Sequence, residues 1–136
     1  MAAKPWATTS MKTAFGLMAL AFLVTGCGDG SPKVYTVKGA VTYNGKPLPK
    51  GVIYFNPDPR KGNDGPQGHA LIIDGQYTTE GPMGKGVVGG SFVVRIEGFD
   101  GKPGSELPMG KPIFTDYTET RDFAAAAQEQ NFEIKK

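Results

Sequence analysis

The chain has 136 residues, with 15 Lys and Arg against 13 Asp and Glu. Both surplus cations, Lys4 and Lys12, precede residue 27 and no acid does, so residues 27–136 are charge-balanced. That balance gives no basic field for nucleic acid, and a single cysteine, Cys27, excludes an intramolecular disulfide and a cysteine zinc site.

Lys12 is followed by the uncharged run Thr13-Ala-Phe-Gly-Leu-Met-Ala-Leu-Ala-Phe-Leu-Val24. It is too short to span a bilayer, which takes about 20 residues, and suits the apolar region of a secretory signal. The run ends in Leu23-Val24-Thr25-Gly26-Cys27, where small residues fit a peptidase that draws extended backbone into a narrow site. Met1 and Met11 both stand as candidate starts, the second giving a compact signal Met11-Lys12-Thr13. Gly28-Asp29-Gly30-Ser31-Pro32 reads as a flexible tether. The expected organisation is a signal peptide over 1–26, a tether over 27–33 and one domain over 34–136.

With 20 Gly and 11 Pro, the remainder should be rich in turns and poor in long helices. From Val34 to Tyr43 the chain alternates, with Tyr35, Val37, Val41 and Tyr43 on one side, as in a half-buried strand. Asn44-Gly45 is a turn signal, and Lys46-Pro47-Leu48-Pro49 cannot form a central strand. Val52–Phe55 is a second strand, and residues 57–69 make a polar loop. Ala70–Ile73, Asp74-Gly75 and Gln76–Thr79 read as a hairpin with a type I′ turn. Gly81–Gly90 is turn-like, Ser91–Glu97 alternates, and residues 98–112 form a second long loop. Arg121–Gln130 lacks an apolar stripe and reads as strand or loop, and Asn131–Lys135 alternates as a closing strand. The predicted class is all-β, a small antiparallel β-sandwich of about seven strands.

The pentapeptide ending at Cys27 resembles the lipobox of bacterial lipoproteins. The resemblance implies cleavage between Gly26 and Cys27, a diacylglyceryl group on the Cys27 sulfur, and attachment to a membrane of the cell envelope. Gly28 rather than Asp follows the cysteine, which by the enterobacterial sorting pattern leans toward the outer membrane. One acyl chain binds only marginally, at about 0.8 kcal/mol per buried CH₂, whereas two or three hold stably.

Val37-Lys-Gly-Ala-Val-Thr-Tyr-Asn-Gly-Lys-Pro-Leu48 resembles the opening of carboxypeptidase regulatory-like, or transthyretin-like, domains, as found in small planctomycete lipoproteins. Val52-Ile-Tyr-Phe-Asn-Pro57, Ile73-Asp-Gly-Gln-Tyr-Thr78, Gly86–Ile96, Pro112–Tyr117 with Thr120, and Asn131-Phe132 continue the likeness. Gly89 stands where such domains commonly have Pro, which loosens the turn. The resemblance implies an accessory β module. Hydroxyisourate hydrolases of the transthyretin fold use several histidines and a distinctive C-terminal tetrapeptide, and this chain matches neither.

His69 is the single histidine, so a nucleophile–base–orienter set has little to draw on and no catalytic residue is assigned. Asp58, Asn63 and Asp64 could offer oxygens to calcium, but two cations and a Pro interrupt them, and no metal or cofactor is assigned. Tyr35, Tyr43, Tyr54 and Tyr77 are expected mostly in packing, while Phe99 and Tyr117 are the candidate contact residues. The expected function is a non-enzymatic, lipid-anchored envelope module facing periplasm or exterior, with the loops 57–69 and 98–112 as contact surfaces. The alternative is a glycan- or peptide-binding accessory module, and a hydrolase is the least supported reading.

Overall fold

Alternation of apolar and polar side chains builds the strands. The computed structural model describes Gly26, Gly28 and residues 30–136. The chain divides into a unit of Met1–Gly30 and one of Ser31–Lys136, and the strands all belong to the second.

Strand β1 (Val37–Tyr43) buries Val37, Gly39 and Val41 and turns Lys38 outward. Asn44 and Gly45 take φ of 49° and 80°, the two left-handed conformations a type I′ turn requires. They return the chain as β2 (Lys46–Pro47), a short edge strand that tolerates its proline. Strand β3 (Lys50–Pro57) lies between β4 (Gly68–Ile73) and β6 (Gly90–Phe99), antiparallel to both. Asp74 and Gly75, at φ of 50° and 76°, form a second turn of the same kind into β5 (Gln76–Thr78). Both turns fall where the sequence places them, and the second is the expected hairpin.

The chain ends in β7 (Pro112–Phe123), β8 (Gln128–Glu129) and β9 (Phe132–Ile134). Hydrogen bonds link the strands in the order β2-β1-β5-β4-β3-β6-β7, and β8 and β9 run parallel to β1. The class is all-β, as expected. The hydrogen bonding draws one continuous curled sheet, not two separate ones.

Several boundaries differ from the sequence reading. The closing strand is parallel to β1, because its chain crosses over Gly39 rather than returning by a hairpin. The loop expected over 57–69 stops at Gly68, since Gly68 and His69 already pair with Phe55 and Tyr54. The loop expected over 98–112 begins only after Phe99, which pairs with Lys50 and Pro112. Ala124–Ala127 is a loop, closed by the Gln128 amide on the carbonyls of Ala124 and Ala126.

The inward faces meet in one apolar core. Leu48, Ile53, Phe55, Ile72, Phe92, Ile96 and Phe132 are fully buried. The Phe123 ring stands edge-on to Phe55 and Phe92, with centroids 5.4 and 5.3 Å apart, the arrangement that suits the ring quadrupoles. Gly89, expected to loosen a turn, is instead a close approach: a Cβ there would lie 2.9 Å from that of Ala125.

Candidate functional site

The free edges of β7 and β9 face each other across a seam. β7 pairs with β6 alone and β9 with β1 alone among the described residues. At one end the seam is closed by side chains. Arg121 on β7 donates to the Asn131 carbonyl (2.8 Å) and the Gln130 side chain (3.2 Å), and lies 4.1 Å above the Phe132 ring. It also bonds Glu119, which accepts from the Tyr117 hydroxyl at 2.7 Å. The Tyr77 hydroxyl donates to the Gln130 carbonyl at 2.6 Å, tying the β8–β9 connection to β5.

This cluster sets its own titration. Burial alone would raise the Glu119 carboxyl, but hydrogen bonds from Tyr117 and Arg121 and the Arg121 charge outweigh it and hold Glu119 below the usual range. The Tyr117 hydroxyl is pushed up to about 12, first by burial and then by its bond to Glu119 and that carboxylate's charge. Burial pushes Tyr77 up as well.

At the other end the seam opens into a groove of about 490 Å³, lined by Tyr43, Phe114, Tyr117, Ile134, Thr115 and Asp116 among others. Its shape depends on a bulge. Phe114 pairs with Gly98 and Tyr117 with Ile96, so two β7 residues, Thr115 and Asp116, stand opposite Glu97 alone. A regular strand would put Phe114 and Tyr117 on opposite faces, whereas the extra residue puts both on the groove side. Phe114 stacks on Tyr43 with centroids 5.1 Å apart, and a Cβ on Gly98 would stand 2.4 Å from the Phe114 ring. Glycine at 98 therefore leaves the space that ring occupies against β6. Lys135 and Lys136 stand on the β9 wall and Asp116 on the β7 wall. The exposed Lys135–Glu133 pair at 3.2 Å does little to neutralise the β9 wall.

The residues singled out from sequence do not gather at one place. Tyr117 is half-buried and lines the groove. Phe99 is half-buried as the last residue of β6, away from the groove lining. Cys27 lies outside the described residues, and Gly26 is exposed. His69 sits within β4, its backbone exchanging hydrogen bonds with Lys85. Tyr54 lies under the Arg95 guanidinium at 5.7 Å, Tyr35 bridges to Val87, and Tyr77 is buried in the core.

Asp58 and Asn63 are buried and turned to internal partners. Asp58 caps the 3₁₀ turn Pro59–Lys61 and accepts from Arg60, whose guanidinium holds the Asp58 carboxyl below its ordinary value. Asn63 donates to the Ser91 carbonyl and accepts from the Gly65 amide. Asp64 is exposed. Among the described residues no three His, Cys, Asp or Glu side chains converge as a ligand set. No helix among them is long and apolar enough to cross a membrane.

Tyr43, Phe114, Ile134 and the two lysines were not singled out as site residues from sequence. The available signal was the run Ile113-Phe114-Thr-Asp-Tyr117, whose aromatics are spaced by three and so cannot share one face of a regular strand. Comparisons with protein-family models, curated proteins and solved structures return no match to this chain.

Proposed function

We propose that this protein is a non-enzymatic interaction module of the bacterial envelope, held to a membrane by acyl groups on Cys27. Residues 34–136 would then be an accessory β domain of the carboxypeptidase regulatory-like kind. The order of an Asn-Gly hairpin, an Asp-Gly hairpin and a long strand after Gly89-Gly90 supports that likeness. The observation that carries the functional reading is the groove, where Tyr43, Phe114 and Tyr117 share one concave surface with exposed charges of both signs. Aromatic rings beside a few polar groups are the makings of a recognition surface. Asp116, Lys135 and Lys136 offer charges of both signs for a ligand to pair with.

A photoreactive side chain at Thr115, exposed on the bulge, tests the assignment in intact cells. The expected result is a discrete adduct with an envelope component, absent when the same group replaces Lys61 on the 3₁₀ turn. Identical labelling from both positions would contradict a groove-specific role.

A further inference from the structure

We infer that the groove takes an extended peptide segment by strand addition, the segment pairing with the free edge of β9 and laying alternate side chains on Tyr43, Phe114 and Tyr117. This rests on the reading of the groove as a contact surface and names its ligand class.

The backbone argues for it first. In a parallel ladder, successive residues direct their N–H and C=O groups to opposite sides. The Ile134 carbonyl accepts from the Asn44 amide at 2.8 Å, so Ile134 faces β1. Asn131, three residues earlier, offers its carbonyl across the seam to Arg121. Glu133 and Lys135 therefore point their backbone groups across the seam as well, toward the groove. No described backbone group meets them there.

The two edges also run antiparallel. Arg121 meets Asn131 at the closed end, while residues 113–117 meet residues 134–136 at the open end. Among the described residues the curled sheet thus brings β7 and β9 face to face without pairing them. The bulge at Thr115–Asp116 makes β7 a poor template, so β9 is the edge that can bond a guest. A guest strand alternates its side chains, and those facing inward meet the aromatic floor.

Charge sets the guest's preference. On the wall it must pair with, Lys135 and Lys136 outnumber Glu133, and Asp116 lies on the facing wall, so acidic side chains beside β9 are favoured and basic ones disfavoured.

The test uses the full chain in lipid nanodiscs and synthetic peptides of about ten residues, the length of a long strand. One peptide alternates Val and Thr around a central Phe with acidic flanks. A second has Lys flanks, a third has Pro at alternate positions, and polygalacturonate serves as an acidic glycan. The acid-flanked peptide should bind about tenfold tighter than the Lys-flanked one, a modest electrostatic preference. The Pro-interrupted peptide should bind at least as poorly. Amide exchange at Glu133 and Lys135 should slow on binding, Lys136→Glu should reverse the charge preference, and Thr115→Arg should block the groove without touching the core.

Equal binding of the Pro-interrupted peptide, or unchanged exchange at those two amides, overturns strand addition. Binding of polygalacturonate with none of the peptides overturns the peptide class. If all probes fail while Cys27 proves acylated, the ligand assignment falls and the tethered module stands. An unacylated protein in the cytoplasm removes the reading on which both rest.

Discussion

Gly39 shows how one missing side chain fixes a topology. The β8–β9 connection crosses β1 there, and a Cβ would stand 2.0 Å from the Gln130 carbonyl oxygen. Because the obstacle is backbone, Gly39→Ala should cost about 3 kcal/mol, the upper end for overpacking, in denaturant unfolding. An unchanged midpoint would deny the crossing. Arg121 is the second deciding residue, joining β7 to β9 through hydrogen bonds and the Phe132 ring. Arg121→Ala should destabilise by about 2 kcal/mol, and Arg121→Lys should recover only part, since an ammonium lacks the planar fork. Titration follows from the same cluster. Asp58 and Glu119 are held low, so their stabilisation is present above the unfolded carboxyl range near pH 4 and is lost as pH falls through the folded values. Tyr117 is raised to about 12, so its contribution is full below about pH 10 and fades as pH climbs toward 12. Melting temperature should therefore drop on both limbs, and Tyr117→Phe should shrink the alkaline one, leaving the part that Tyr77 contributes. An alkaline limb unchanged by that substitution would refute the assignment. None of these roles could be read from the sequence, where Arg121 and Glu119 look like ordinary solvated charges.

At the level of elements, legibility followed local chemistry. Asn44-Gly45 and Asp74-Gly75 announced their hairpins because the left-handed conformations that type I′ turns need are ones few residues tolerate. Gly45→Val should accordingly cost about 1 kcal/mol or more by thermal unfolding, the penalty for a side chain at positive φ. β7 was hidden by its own inward face, where Glu119 and Arg121 occupy positions that an alternating strand would give to apolar residues. The bulge then broke the period again at Thr115–Asp116. The parallel pairing of β9 was equally illegible, because alternation reports which face is buried and not which strand lies alongside. Phe99 illustrates the same limit, since its place at the end of β6 depends on Lys50 and Pro112, both far away in sequence.

For the molecule as a whole, glycine, proline and short alternating runs were enough to predict an all-β domain, and the curled sheet agrees. The groove was not legible as a unit, because Tyr43, Phe114 and Ile134 come from three strands that only the closure of the sheet brings together. The proposed tether belongs to the other end of the chain, where Leu23-Val-Thr-Gly-Cys27 carries the lipobox likeness. A tethered binding domain is the central claim. Its most direct test is the intact mass of the protein from a native membrane fraction, beside a Cys27→Ser form. The expected mass is that of residues 27–136 plus acyl chains, with the serine form left unprocessed. An unmodified mass that retains the residues before Cys27 would contradict it.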